Sequence, residues 1–292
     1  MFRIGIIGSD SSHARAFSRL ANQPDENGRF LFPDVRVTHI LGETSESAAA
    51  VSQACGIPKV VSSLPVMYGE VDAVMILYRH GALHYASAVP FLERGIPVWI
   101  DKPVTIDPCE CRDMIRLAQK HSVILAGGST CRYCPDVLRL HQEFVRLRNE
   151  NTLISGAFNF PGEIDSPYGG IYFYGGHGVE ILTTIFGNDI QCIKADVHCG
   201  NIVALVKYRD FTVTINFSEV SEFYGTLYSP SGVVQSPIDI SQVYRYGFSK
   251  FIEALRLGAP VEPLDSLLRP VLILNTLDEA ILKGEAQYKY KP

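Results

Sequence analysis

No apolar run in this 292-residue sequence approaches the ~18 residues that a membrane-spanning helix needs. The amino terminus, Met1 to Gly8, is apolar but short and has no small-residue cleavage site. It reads as a first strand rather than a secretory signal. Basic residues are not in excess: 26 Lys and Arg stand against 31 Asp and Glu, a formal net charge of -5. Without basic clusters a polyanion-binding surface is not expected, although one small basic pocket for an anionic ligand is compatible with this balance. Neither nucleic acid nor a membrane is therefore an expected partner. The sequence also lacks internal repeats and low-complexity tracts. Its hydrophobic (47%) and charged (20%) fractions are those of an ordinary globular chain, which excludes disorder and fibrous repeats.

Other absences narrow the chemistry. Seven cysteines, at 55, 109, 111, 131, 134, 192 and 199, are odd in number and scattered. That pattern fits a reduced, cytoplasmic pool better than a disulfide framework. Cys131 and Cys134 make a single C-x-x-C, with His198-Cys199 far downstream, whereas a structural zinc site usually shows a second close pair. No metal is expected. There is no G-x-S-x-G at a strand-to-helix elbow, which argues against a serine hydrolase.

At ~150 residues per domain the length suggests two domains, and the patterning agrees. Phe2 to Ile7, Val35 to Leu41, Ala73 to Leu77, Val98 to Ile100 and Val123 to Ala126 are apolar runs of strand length. They alternate with helical segments: Thr44 to Cys55, closed by Gly56 and Pro58; about Ala82 to Arg94, with Pro90 as a kink; and a helix opening on Asp107-Pro108-Cys109-Glu110. In that last helix Cys111, Met114, Ile115 and Ala118 form one apolar stripe. Continuous apolar strands between helices predict a doubly wound parallel sheet covered on both faces, a Rossmann-type α/β domain over residues 1–127. Residues 128–292 read as an α+β domain with a mainly antiparallel sheet. A helix over Pro135 to Arg148 and a strand over Thr152 to Phe160 precede it. The runs 190–198, 202–208, 211–218 and 222–228 then form a meander, and helices over 242–257 and 264–283 close the chain.

The candidate cofactor site begins at the turn after the first strand. A dinucleotide fold places glycines there so that amides at a helix N-terminus reach a pyrophosphate. Aligning Gly8 with the first glycine of G-x-G-x-x-G puts Asp10 at the second and His13 at the third. Gly8, Ser9, Ser11, Ser12 and His13 are the candidate cofactor residues, with the Ser11 and Ser12 hydroxyls as donors; the competing reading is a plain turn capped by Asp10. Glu43, ending the second strand, can accept from both ribose hydroxyls and would repel a 2′-phosphate, which favours NAD over NADP. Leu77, and His84 beyond it, lie on the same edge and are further candidate cofactor residues. Lys102 follows Val98-Trp99-Ile100-Asp101 at the carboxyl end of a parallel strand, where ligands of open α/β sheets bind, and Pro103 restricts it to an extended backbone. A lysine there can hold a substrate hydroxyl or exchange a proton.

These residues together resemble the Gfo/Idh/MocA oxidoreductase family (glucose–fructose oxidoreductase, inositol dehydrogenase and relatives). The likeness spans Gly5-Ile6-Ile7-Gly8, the segment leading to His84, and Asp101-Lys102-Pro103, which is similar to the family's usual Glu-Lys-Pro. It continues through Gly169 to Glu180, which looks like the family's Gly-Gly…Asp-x-Gly-x-His segment. The resemblance implies an NAD(P)-dependent dehydrogenase acting on sugars, cyclitols or related polyols, as a homodimer or homotetramer. It also implies that Lys102 and His177 are the active-site lysine and histidine. Two departures stand out. Phe173 sits four residues before His177, where relatives often carry Asp, and the glycine-rich turn carries Asp10.

Spacing alone adds that His177 and Glu180 share a helical face, in a helix starting at Gly176. With Phe173 unable to orient the imidazole, Glu180 is expected to take that role within direct or one-water reach. Tyr172 and Tyr174, in the preceding Gly/Tyr-rich loop, suit a polyol site with Glu180. Lys102 and His177 then flank the reacting hydroxyl, one moving the proton and the other orienting the oxygen, with the assignment left open. The alternative function is a ligand-sensing or regulatory protein that keeps the fold without turnover.

Overall fold

The computed structural model describes residues 1–220 and 222–290. Its contacts divide the chain into two units, residues 1–128 with 244–267, and residues 129–243 with 268–292.

The first unit is a six-stranded parallel sheet: β1 (Phe2–Ile7), β2 (Val35–Leu41), β3 (Lys59–Val60), β4 (Ala73–Ile76), β5 (Val98–Ile100) and β6 (Leu125–Gly127), in the order β3-β2-β1-β4-β5-β6. The winding reverses at β1, so the crevice for ligands opens at the carboxyl ends of β1 and β4. Every residue of β4 and β5 is buried, as their unbroken apolar runs require.

The intervening helices are α1 (Ser12–Asn22), α2 (Ser45–Cys55), α3 (His84–Leu92) and α4 (Pro108–His121). Thr44 caps α2 in a capping box with Ser47, and Gly56 closes it in the left-handed region. The expected third helix is split: Gly81–Leu83 form a 3₁₀ turn, and α3 starts at His84. Asp107 caps α4 as its sequence predicts, but the buried stripe is Cys111, Met114, Leu117 and Ala118, with Ile115 half-buried.

A cut after residue 127 would assign all the later helices to the second unit, and contacts place one of them differently. Helix α7 (Val243–Leu257) sets Phe248 between Phe17 and Phe32, with ring centroids at 5.9 and 5.0 Å, and Phe251 against Trp99 at 5.8 Å. Arg256 pairs with Asp34 at 2.6 Å. This aromatic seam binds a distant stretch of chain to the first sheet's helices.

The second unit holds α5 (Pro135–Asn149), α6 (Tyr172–Phe186) and most of α8 (Asp265–Lys283) against a seven-stranded sheet. Its strands are β7 (Ser155–Phe160), β8 (Cys192–His198), β9 (Asn201–Lys207), β10 (Thr212–Phe217), β11 (Tyr224–Ser229), β12 (Gly232–Pro237) and β13 (Glu285–Gln287). Their order is β12-β11-β7-β10-β9-β8-β13, antiparallel except for β7 with β10. The meander therefore holds only for β8, β9 and β10, because β7 takes the free edge of β10 and β11 adds beyond it. Register explains the choice. Gly156, Phe158 and Phe160 align with Val213, Ile215 and Phe217, so both strands present their apolar sets on one face.

Helix α6 starts one turn earlier than Gly176, which places Tyr172 and Tyr174 in its first turn. Gly169 and Gly170, both at positive φ, turn the chain into it. Gly178 survives inside the helix because a Cβ there would stand 2.7 Å from the Phe217 ring. Among the described residues no helix is long and apolar enough to cross a membrane.

The aromatic seam gives a stability test. Phe248 is fully buried, and Phe248→Ala is expected to cost about 3–5 kcal/mol, read as a fall in urea midpoint. A loss within 0.5 kcal/mol would show that α7 contributes little to the first unit.

Candidate active-site residues

In the first unit, the turn after β1 depends on close backbone approach. Gly8 has φ +97°, and a Cβ there would lie 2.7 Å from the Tyr78 amide nitrogen just beyond β4. No L side chain fits. The next residue is held from the β2 end: the Glu43 carboxylate accepts from the Ser9 amide at 3.0 Å and its hydroxyl at 2.7 Å. Glu43 remains solvent-exposed. Ser11, not Asp10, caps α1, its Oγ accepting from the His13 amide at 3.1 Å, while Ser12 is exposed at the first helical position. The Asp10 Oδ1 is buried. Burial first, then the Glu43 charge, pushes the Asp10 carboxyl up to about 6.

His13 fills the place of a fingerprint glycine with a buried ring. Its Nδ1 lies 2.6 Å from Asp101 Oδ2, and its edge meets Tyr244 with centroids 4.9 Å apart. Asp101, 2% exposed, follows β5 directly and precedes Lys102, itself 3% exposed. Burial alone would push the Asp101 carboxyl up. His13, through charge and hydrogen bond, together with Lys102 and His84, outweighs it and holds the group below the usual carboxylate range. The fully buried His84 bridges two loops: Nδ1 is 2.8 Å from the Pro103 carbonyl and Nε2 3.0 Å from that of Tyr78. Burial pushes its pKa down. Leu77 is fully buried, its amide donating to the Ile7 carbonyl at 2.7 Å. Of the residues selected as cofactor contacts, Gly8, Ser12 and Glu43 shape or line the turn's surface, whereas His13, Leu77 and His84 support it from below.

In the second unit, α6 carries His177 and Glu180 on one buried face, as their spacing predicts. The link between them differs from the expected pairing. The Glu180 Oε1 accepts from the Ser129 amide at 2.6 Å, and its Oε2 accepts from Arg132 at 3.2 Å. The His177 Nδ1 is 2.6 Å from Ser129 Oγ and 3.6 Å from Cys131 Sγ. The carboxylate thus orients the imidazole through Ser129, and its own oxygens are committed to protein groups rather than presented to substrate. Phe173 packs between Tyr168 and Tyr174 at 5.0 and 4.5 Å. Tyr172 and Tyr174 are half-buried, and burial with the nearby Asp278 pushes the Tyr172 hydroxyl up. Ser129 and Arg132 escaped sequence reasoning because they lie about 50 residues from their partners. Their one signal is Ser129 directly after Gly127-Gly128, where a strand ends.

Comparison with known proteins bears on this geometry. Residues 2–129 match the Gfo/Idh/MocA model, described as an oxidoreductase family with an NAD-binding Rossmann fold. The match covers less than half of the chain. Over 103 residues the chain is 31% identical to UDP-N-acetylglucosamine 3-dehydrogenase from Acidithiobacillus ferrooxidans, a stretch covering 35% of this chain and 32% of that protein. The match therefore spans about a third of that relative. Two solved structures share the fold across the whole length. One is scyllo-inositol dehydrogenase from Lactobacillus casei with bound NAD(H) and scyllo-inositol: TM-score 0.82, 13% identity, 99% of each chain. The other is myo-inositol 2-dehydrogenase from Lactobacillus plantarum: TM-score 0.78, 15% identity, 99% of each chain. The NAD-binding family's fold is thus present, with Asp10 and His13 in its glycine-rich turn.

Asp10 supplies the next test. Its folded value of about 6 exceeds the unfolded ~3.9, so the native state keeps a proton that the unfolded chain has lost. Stability falls as pH rises through that interval. Discounted for solvent screening, Asp10→Asn should gain on the order of 1 kcal/mol at pH 8, and the gain should shrink toward pH 4. Urea midpoints at several pH values measure it, and a gain independent of pH would contradict the assignment.

Proposed function

We propose that this protein is an NAD-dependent dehydrogenase that oxidises a secondary alcohol carbon of a sugar, cyclitol or related polyol. The observation that carries this reading is the buried Asp101-Lys102 step at the end of β5, beside the β1 turn of an NAD-binding domain. The dehydrogenase relatives and structural neighbours support the substrate class. Seven free thiols suit a reducing cytoplasm, and a homodimer or homotetramer is the assembly the family resemblance implies.

The residues fit a dinucleotide. Gly8 lets the β1 turn lie flat against the β4 end, and the amino end of α1 offers amides to a pyrophosphate. Glu43 would exchange its bonds to Ser9 for the adenosine ribose hydroxyls and would meet a 2′-phosphate with like charge. When bound, the nicotinamide supplies a hydride acceptor at its C4, and the protein supplies geometry and proton management. Oxidation of the alcohol releases one hydride from the carbinol carbon and one proton from the hydroxyl. Lys102 and His177 are the two groups assigned to that oxygen.

Two measurements test the reading. At equal concentration NAD(H) should raise the melting temperature more than NADP(H), because the tighter ligand shifts unfolding further. A larger shift with NADP(H) would remove the Glu43 assignment, and no shift with either would remove the cofactor. Lys102→Met should cut kcat by ~10²–10⁴-fold on an active polyol while keeping the NAD-induced shift. Near-full activity in that variant would end the catalytic role of Lys102.

A further inference from the structure

Ser129 is completely buried, and its contacts leave one arrangement for its hydroxyl proton. The Oγ accepts from the Cys131 amide at 3.1 Å, as cap of the 3₁₀ turn Thr130–Tyr133. Its other partner is His177 Nδ1 at 2.6 Å. A hydroxyl carries one proton, and a buried proton without an acceptor is costly. Of these two partners only an unprotonated Nδ1 can receive it. The Ser129 amide in turn donates to Glu180 Oε1 at 2.6 Å, and Arg132 holds the second carboxylate oxygen. The serine backbone is thus fixed by the carboxylate, and rotating the hydroxyl away would leave the buried Cys131 amide without its acceptor.

We propose that Ser129 is a positioning residue that holds His177 as the neutral tautomer with its proton on Nε2. This inference deepens the dehydrogenase reading and rests on it for its catalytic consequence. An imidazole whose Nδ1 accepts from Ser129 and whose Nε2 carries the proton donates to a substrate oxygen but does not accept that oxygen's proton. On the dehydrogenase reading His177 then orients the substrate oxygen as a hydrogen-bond donor, and the hydroxyl proton leaves to a base other than this ring. The groups gathered around the His177 ring are consistent with a neutral imidazole. Among them are the Cys131 thiol and the Phe160 ring at 5.7 Å. The family's aspartate one turn earlier would favour imidazolium. Here Phe173 stands at that position, and Ser129 supplies a neutral hydrogen bond instead.

The test reads the tautomer directly. Long-range ¹H–¹⁵N correlation of the histidine rings, with His177 identified by the signal lost in His177→Gln, should show Nε2 protonated and Nδ1 unprotonated at pH 8. Ser129→Ala should mix the two tautomers and raise the His177 pKa, and Ser129→Thr, which keeps the hydroxyl, should restore both. Turnover should fall about 10²-fold in kcat for Ser129→Ala, with KM changed less, as for loss of a positioned donor. A wild-type ring protonated on Nδ1, or a ring pattern unchanged in Ser129→Ala, would overturn the proposal. An Nε2-protonated ring in a wild-type protein that turns over no polyol would support the role of Ser129 and instead remove the dehydrogenase reading.

Discussion

A carboxylate buried to 2% exposure at the end of a central strand is the constraint around which the first unit's site is arranged. Asp101 would be neutral there if left alone, because removing a charge from water costs several kcal/mol. It remains ionised because cationic or polarised groups gather on it: His13 from the β1 turn, Lys102 from its own strand, and His84 from α3. Each brings a different element. The pair with His13 ties the β1 turn to the end of β5, and the His84 ring lies between the Tyr78 and Pro103 carbonyls, within hydrogen-bond distance of each. The lysine is consequently held in place by the same electrostatics that make its carboxylate neighbour tolerable. Losing His13 or Lys102 leaves the buried Asp101 carboxylate with less to offset its burial.

The second unit solves a similar problem with a different hub. Glu180 is 3% exposed, and it is satisfied by one cation and one backbone amide rather than by a ring. That choice leaves the imidazole of His177 to a hydroxyl, which steers the ring without charging it. Buried polar clusters of this kind are stable only when every donor and acceptor is matched. Because Ser129 uses its amide and its hydroxyl at once, the cap of a short 3₁₀ turn and the orientation of a histidine on α6 become one structural decision.

Much of this was legible in the sequence. Apolar runs located five of the six parallel strands because both faces of that sheet are buried there, whereas β3, two exposed residues, carries no such run. Caps at Thr44 and Asp107 fixed two helix starts through local hydrogen bonds that need no tertiary context. Lys102 and His177 could be named from short motifs, and the His177–Glu180 face from helical spacing. What escaped were relationships set by tertiary contact. The order of β7, β10 and β11 depends on which apolar faces align across the sheet. The allegiance of α7 depends on Phe248 meeting rings more than 200 residues away. The His13–Asp101 pair could not be inferred from a turn that, on sequence alone, merely lacked two glycines.

That turn shows why a departure from a motif should be judged by what replaces it. A glycine at position 13 would let α1 pack closely on the sheet. An imidazole needs the same space and must also satisfy a ring nitrogen, and a buried carboxylate at the end of β5 meets both needs. The two departures from the motif therefore meet in one contact: the His13 ring beneath the β1 turn lies 2.6 Å from Asp101, the residue next to Lys102. Asp10 is compensated only in part: burial and the Glu43 charge raise its carboxyl more than the Arg79 charge and a backbone hydrogen bond lower it. It is half-buried, so solvent screening still reduces the cost.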